Sequence, residues 1–183
     1  MHVFFFNPFE EKINKNKISL IYHLIINYLK LLGANSIMNM VNNYKKVIYN
    51  KLFPLPPNKS YSNLLIDDEA ISFITTPVNS EMITAIIDSH IPDHVMRYDI
   101  TILDGTACVG GDSIAFGKHF GSVLSSEIDD KRYIMLVNNL REYELHNVIP
   151  VNTDCIKILK RINFIDIAYF DPPWGGETIQ NIY

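Results

Sequence analysis

Segments typical of β-strands alternate with segments typical of helices from about residue 99 to residue 170. The strand-like segments are short and rich in β-branched or other apolar residues, and the segments between them have the apolar spacing of helices. In order they are DITIL, DSIAFGKHF, SVLSSE, DKRYIMLVNNLREYELH, VIPVNTD, CIKILKRI and FIDIAYF. Because parallel neighbours need a long return connection, this alternation predicts an α/β fold with a doubly wound parallel sheet.

The N-terminal residues of the chain, up to about residue 52, are predicted to form a separate helical extension. Apolar residues follow helical spacing in the stretch 18–32, ISLIYHLIINYLKLL, which is shorter than the roughly 20 residues of a membrane span. We expect an amphipathic helix that packs on the body; a helix for a membrane surface or a partner is the alternative. Three prolines in FPLPPNKS favour a stiff connector. The predicted regions are a helical extension over 1–52, a Pro-rich connector over 53–63 and the α/β domain over 64–183.

Composition narrows the classes of function. Hydrophobic residues make up 48% of the 183 residues and the net charge is −4, so we expect a packed core and no general electrostatic grip on nucleic acid. Cys108 and Cys155 have neither disulfide nor metal-ligand spacing, and no secretory signal is recognisable, which favours a reducing intracellular setting. His90 and His94 lack a recognisable third ligand, so no metal site is predicted.

Three successive predicted strands end in a carboxylate: Asp104, Glu127 and Asp154. Ligands of open parallel sheets bind at this edge. Glu127 is placed to bond both hydroxyls of a ribose, and Asp154 to accept a hydrogen bond from a nucleobase amine. The simpler alternatives are an acidic first helical turn after Glu127 and an N-cap at Asp154. Together the three acids suggest a nucleoside cofactor that carries no phosphate.

The turn after the first strand, LDGTACVGGDS, provides the second part of this predicted site. Gly105, Thr106 and Gly110 would let a ligand approach the backbone next to the amides of a helix N-terminus. The turn matches neither G-x-G-x-x-G nor a Walker loop, and a tight turn without a ligand is the alternative.

The fourth strand ends in Asp171-Pro172-Pro173-Trp174. With these residues the chain from about residue 65 resembles class I S-adenosylmethionine-dependent methyltransferases, in which an acid, two prolines and an aromatic mark those that methylate an exocyclic amine of a base. The resemblance implies a Rossmann-like sheet and S-adenosylmethionine as cofactor. It also implies that Asp171 and the Pro172 carbonyl hold the hydrogens of the amine while Trp174 stacks on the base.

A second segment makes the resemblance more specific, because it points to one family within these methyltransferases. LLIDDEAISFITTP at 64–77, together with PPWGG, is similar to trimethylguanosine synthases, the RNA cap guanine-N2 methyltransferases. The resemblance implies methylation of N2 of 7-methylguanosine on capped RNA, with Trp174 stacked on the charged base and Phe73 as a further substrate contact. We expect the protein to be intracellular, in the nucleus or the cytoplasm, and to have no membrane partner.

Three residues depart from the family pattern: Asp171 where serine is frequent, Cys108 in place of a glycine, and Val78 in place of a glutamate. N6-adenine or N2-guanine methylation of DNA or rRNA is therefore the alternative activity. The family sheet has seven strands in the order 3-2-1-4-5-7-6, whereas this chain ends after its fourth. We expect an incomplete domain with an open sheet edge for a partner chain, and a fragment without catalysis is the third alternative.

Overall fold

The computed structural model describes residues 46–172 of the chain. Residues 46–52 are helical. The elements that follow are α1 (Ala70–Phe73), α2 (Pro77–Ser89), a 3₁₀ turn (Arg97–Asp99), β1 (Thr101–Asp104), α3 (Gly111–His119), β2 (Ser122–Glu127), α4 (Asp130–Glu142), β3 (Val148–Asn152), α5 (Cys155–Leu159) and β4 (Ile167–Tyr169). The helix predicted over 18–32 and the predicted site residue Trp174 lie outside the described residues.

The four strands form one sheet in the order β3-β2-β1-β4, and every neighbouring pair is parallel. The predicted α/β class and its four parallel strands are thus confirmed. The strand order reverses between β1 and β4, because β2 and β3 lie on one side of β1 and β4 lies on the other. In open α/β sheets a ligand crevice forms at the carboxyl ends of the strands that flank such a reversal.

The core lies on both faces of the sheet. Ile102 and Leu103 are adjacent on β1 and both fully buried, and they belong to different clusters because successive strand residues point to opposite faces. The Ile102 cluster includes Phe116 of α3 and Leu136 of α4. The Leu103 cluster includes Ile158 of α5. Helices α3 and α4 therefore cover one face and α5 the other, as a doubly wound sheet requires.

Strand β4 is shorter than the segment FIDIAYF, since only Ile167–Tyr169 pairs with β1. Asp166 marks its beginning: the Thr101 amide donates to Asp166 Oδ2 at 2.8 Å and the Asp166 amide donates to the Thr101 carbonyl at 2.9 Å. A side-chain oxygen thus takes the place of a ladder carbonyl, and the residues before it leave the sheet.

The Pro-rich stretch packs against helix α4. Phe53 and Leu64 are 1% and 3% exposed. Asn139 is fully buried on α4; its amide nitrogen donates to the carbonyls of Leu65 and Val109, and its oxygen accepts from the Leu65 amide at 2.8 Å. One asparagine therefore joins the segment before the sheet to the turn after β1. The predicted region boundaries stay predictions.

No helix within residues 46–172 is both long and apolar enough to cross a membrane.

Candidate active site

Asp104 is the buried base of the turn after β1. It is 1% exposed; Oδ2 accepts from the Ser113 hydroxyl at 2.6 Å and Oδ1 accepts from the Thr106 amide at 3.3 Å. Ser125 on β2 donates in turn to the Ser113 oxygen at 2.8 Å. Burial, followed by the nearby charge of Asp112, raises the pKa of Asp104 to about 7. Asp104 braces the turn through donors of the chain itself, and its predicted contact with a cofactor stays a prediction.

Backbone hydrogen bonds join the turn to β4 on one side and to β2 on the other. The Gly105 amide donates to the Tyr169 carbonyl on β4 and the Ala107 amide donates to the Ser126 carbonyl on β2, both at 2.9 Å. A Cβ atom on Gly105 would lie 2.2 Å from the ring of Phe170, so a glycine is needed for this ring to pack over the turn. The turn is therefore positioned by the sheet on both sides.

Two residues of the turn have positive φ angles. Gly110, at +103°, is the N-cap of α3, a conformation that glycine adopts without cost. Cys108, at +49°, occupies the position at which the resemblance expects a glycine, and a Cβ is strained there. Burial, followed by the charge of Glu127, raises the pKa of the Cys108 thiol to about 12, so the thiol stays protonated near neutral pH.

The structure places the other two strand-end acids in local helix-start arrangements. Glu127 ends β2, and its Oε1 accepts from the Asp129 amide at 2.8 Å. Asp129 caps α4 by accepting from the Arg132 amide at 2.9 Å. Asp154 caps α5, since its Oδ1 accepts from the Ile156 amide at 2.9 Å. The N-cap alternative for Asp154 is therefore realised in the structure, and the cofactor roles of Glu127 and Asp154 stay predictions.

The acid of the fourth strand end is bonded directly to the first turn. The Asp171 amide donates to Thr106 Oγ1 at 2.8 Å, across 65 residues of sequence. Pro172, the last described residue, is exposed. This hydrogen bond brings the predicted amine-holding residues next to the predicted cofactor turn.

Phe73 ends α1 at the same edge. The Arg132 guanidinium of α4 lies over its ring, 5.7 Å from the centroid. Arg132 also forms ion pairs with Asp67, at 3.4 Å, and with Glu69. The acidic turn that the resemblance singles out is thus attached to α4, and one face of Phe73 is already in contact with a cation.

A crevice lies between the segment before α2 and the turn after β1. The residues of its lining that matter most for the site are Phe73, Thr75, Thr106, Cys108, Asp112 and Asp171. It therefore brings together three predicted site residues with three that the sequence interpretation did not select.

Asp112 is the most notable of the residues that sequence reasoning missed. It is 9% exposed in the first turn of α3, and its Oδ2 accepts from the Thr75 hydroxyl at 2.7 Å. Its Oδ1 is buried and has no partner of hydrogen-bond geometry among residues 46–172, although the side chains of Ser80 and Tyr169 lie close enough to act on the pKa of this carboxylate as hydrogen-bonding groups. The available signal was its position directly after the glycine pair, although an acid there is also typical of a helix start.

Residues 100–181 match the family model of the RNA cap guanine-N2 methyltransferases. An uncharacterized protein of Acanthamoeba polyphaga mimivirus is 32% identical over 154 residues, which cover 72% of this chain and 60% of that protein. The chain thus spans less than two thirds of the length of this relative.

Two solved methyltransferases resemble the structure. A precorrin-6y C5,15-methyltransferase from Geobacter metallireducens has a TM-score of 0.44 and 19% identity, over 59% of this chain and 57% of that one. An rRNA methylase from Streptococcus thermophilus has a TM-score of 0.43 and 15% identity, over 58% and 61%. The fold assignment itself rests on the strand order and direction described above. The predicted resemblance is confirmed: residues 100–181 have the sequence pattern of the RNA cap guanine-N2 methyltransferases.

Proposed function

We propose that this chain provides the cofactor-binding and amine-binding part of an S-adenosylmethionine-dependent methyltransferase that acts on N2 of 7-methylguanosine in an RNA cap. The observation that carries the proposal is the hydrogen bond from the Asp171 amide to Thr106 Oγ1. It connects the turn that would hold the cofactor with the residues that would hold the base. A methyl donor and an acceptor amine must lie at such a junction, because methyl transfer requires the two to be in contact.

The residues present fit this cofactor. Its sulfonium and ammonium groups are cationic and it has no phosphate, which suits an edge where Asp104, Asp112 and Glu127 lie close together. Thr106, Gly111 and Asp112 line the crevice beside the turn, and a Cβ on Gly111 would lie 2.9 Å from Ile74 and 3.0 Å from the Thr75 carbonyl, so a glycine is needed for the turn to pack against the segment before α2. When bound, the cofactor supplies an electrophilic methyl group on a good leaving group.

The strand-end acids would bind its nucleoside. Glu127, at the tip of β2, would accept from the ribose hydroxyls, and Asp154 would accept from the adenine amine. Gly105, Thr106 and Gly110 would line the path of the amino-acid end. Each role follows from the position of the residue at the carboxyl edge of the sheet.

The residues around Asp171 would orient the acceptor amine. A planar amine is a poor nucleophile while its lone pair is conjugated with the ring, so acceptors for its hydrogens favour the reactive geometry. The Asp171 carboxylate and the Pro172 carbonyl would serve as these acceptors. Trp174 would stack on 7-methylguanine, whose positive charge adds about 1–2 kcal/mol of cation–π attraction. Phe73 would contact the base only through the face or edge that Arg132 leaves accessible.

A second candidate substrate is an adenine N6 or guanine N2 amine in rRNA or DNA. The observation in its favour is Asp171 itself, an acid at a position where the cap enzymes often have serine. With either substrate, the residues around Asp171 would orient an exocyclic amine of a base for methyl transfer.

A methyl-transfer assay with labelled S-adenosylmethionine tests the choice. Short RNAs with a 7-methylguanosine cap, with an unmethylated guanosine cap and without a cap are compared at equal concentration. Labelling confined to the 7-methylguanosine cap is expected. Equal labelling of all three would exclude the cap as the target and favour the second candidate, and a chain that only pairs with a partner would label none.

A further inference from the structure

The segment 155–165, which contains α5, is basic in a chain that is acidic as a whole. It carries Lys157, Lys160 and Arg161 and no acidic residue, whereas the net charge of the chain is −4. All three side chains are exposed, and none of them forms an ion pair with a carboxylate among residues 46–172. Cations that the protein itself leaves without counter-charges favour an anionic partner.

The three cations lie on one side of a helical turn. Their positions have the spacing i, i+3, i+4, which places side chains on the same helical face. The helical bonds continue past α5, since the Ile162 amide donates to the Ile158 carbonyl at 3.0 Å. Ile158 and Ile162 are the inner side of this turn, because both belong to the cluster of Leu103 beneath it. The cations therefore form an outward-facing basic stripe.

Two exposed phenylalanines follow the stripe, one before β4 and one after it. Phe164 is 63% exposed and Phe170 is 41% exposed. At the rise of a strand the six residues between them span on the order of 20 Å, so the two rings would contact different units of a chain molecule. The second ring also borders the candidate active site, because it packs over Gly105 and precedes Asp171, which lines the crevice.

Cations beside exposed aromatic rings are the combination that binds single-stranded nucleic acid. The cations follow the phosphates, and the rings stack on bases whose faces are free. A double helix offers phosphates but keeps its bases stacked, and an uncharged apolar peptide would cover the rings while leaving the stripe without counter-charges. A single strand satisfies both features at once.

We infer that this surface binds the single-stranded RNA that follows the cap. We call it the α5 surface, and its residues are Lys157, Lys160, Arg161, Phe164 and Phe170. The inference rests on the proposed function, which places the cap nucleotide at Asp171, directly after Phe170. RNA that leaves the crevice would stack on Phe170 and continue along β4 toward Phe164, with its phosphates toward the basic stripe.

Fluorescence anisotropy with the full 183-residue chain tests the inference. The two ligands are a 7-methylguanosine-capped RNA of about twelve nucleotides and the capped dinucleotide alone. The wild-type chain is expected to bind the RNA at least about tenfold more tightly than the dinucleotide. Combining Lys157→Gln, Lys160→Gln and Arg161→Gln should reduce this preference to about twofold and lower the slope of log K against log salt by about 2, as the loss of three phosphate contacts implies. Affinity for the dinucleotide should not change.

The matched control combines Lys46→Gln, Lys51→Gln and Lys59→Gln. It removes the same charge from exposed positions, and the apolar residues among them, Tyr49 and Phe53, pack with the core cluster on the other face of the sheet. The control should keep the preference for RNA. An equal loss in both triple variants would show a general effect of charge and would overturn the inference.

Phe164 tests the stacking part separately. Phe164→Leu keeps an apolar side chain but has no ring, and it should weaken RNA binding about fivefold, whereas Phe164→Tyr should keep the affinity. Equal affinities of these two variants would overturn the stacking role of this ring.

The inference and the proposed function can fail separately. If folded wild-type chain binds the RNA no more tightly than the dinucleotide, the inference is overturned and an acidic protein partner becomes the better match for the α5 surface; methylation of the capped dinucleotide would still support the proposed function. If no capped substrate is methylated but RNA binding depends on the basic stripe, the proposed function fails and the RNA-binding surface stands.

Discussion

The turn after β1 and the corner after β4 meet in one crevice but are held in opposite ways. All residues of β1 after Thr101 are buried, and a chain of hydroxyls from Ser125 through Ser113 fixes the Asp104 carboxylate beneath the turn. No residue of β4 is fully buried, and Phe170 is 41% exposed. The turn proposed to hold the cofactor is preorganised by the domain itself, whereas the described part of the corner proposed to hold the amine is joined to that turn by the hydrogen bond from the Asp171 amide to Thr106. Changes in the turn should therefore affect stability, and changes at the junction should affect mainly catalysis.

The largest expected effect is the pH dependence that Asp104 gives to the braced turn. Its pKa is raised from 3.8 to about 7 by folding, so the folded state binds a proton that the unfolded state has lost between these values. The stability that this proton contributes is therefore fully present below pH 4, falls as the pH rises toward 7 and levels off above it, by up to about 4 kcal/mol in total. Urea unfolding between pH 4.5 and 7.5 measures this slope. Asp104→Asn should flatten it markedly, leaving the contribution of Asp112, whose pKa burial also raises; an unchanged slope would contradict the assignment.

The second-largest effect on stability is expected at Asn139, whose buried side chain joins the segment before the sheet to the turn after β1; we call its three hydrogen bonds the clamp. Asn139→Ala removes the partners of the Leu65 amide and of the Leu65 and Val109 carbonyls, so we expect a loss of about 3 kcal/mol in the free energy of unfolding. Asn138→Ala is the matched control, because Asn138 bonds only the Asn63 carbonyl and its own neighbours at a more accessible site. It should lose less than about 1 kcal/mol. Comparable losses for the two variants in chemical denaturation would argue against the clamp.

The junction itself should show its effect in turnover. Thr106→Val removes the acceptor for the Asp171 amide, and the loss of about 1 kcal/mol should lower kcat roughly fivefold. The affinity for S-adenosylhomocysteine should fall less than kcat, since Thr106 would only line the path of its amino-acid end. Thr106→Ser keeps the hydroxyl and should restore most of the activity, which separates the hydrogen bond from side-chain packing. A fall in cofactor affinity with normal kcat would place Thr106 in cofactor binding alone.

The smallest expected effect is an increase in the free energy of unfolding, in the variant Cys108→Gly. Cys108→Gly places glycine at a φ of +49°, where a Cβ is strained, and the relief should exceed the entropy that glycine adds to the unfolded chain. We expect a stabilisation of about 0.5–1 kcal/mol in thermal unfolding. Cys155→Gly, at the first position of α5, should instead destabilise the chain, since that residue is helical. A loss of stability in Cys108→Gly would show that packing of the thiol outweighs the strain.

Local patterns were sufficient to predict the four strands, the helices between them, and the carboxylates Asp104 and Glu127 at the ends of β1 and β2. The third strand was predicted to end at Asp154, whereas β3 ends at Asn152 because Asp154 caps the next helix. The residues that hold the site together were not predictable in this way. Thr75 bonds Asp112 across 37 residues and Asn139 bonds Leu65 across 74, and nothing in the local pattern of either residue specifies a partner. The segment 53–63 has the composition of a free connector, yet Phe53 within it and Leu64 directly after it are buried, because composition does not reveal which surface an apolar side chain will meet.

The α/β class, the number of strands up to residue 170 and the family pattern of residues 100–181 could all be read from the amino-acid sequence, since periodicity and motifs are properties of neighbouring residues. The folded structure was needed to show that Asp154 caps a helix, that Cys108 has a left-handed backbone and that Asp112 is buried with Thr75 as a hydrogen-bond donor. The physical reason is that burial, backbone strain and hydrogen-bond satisfaction depend on which distant atoms surround a residue, and folding alone brings those atoms together.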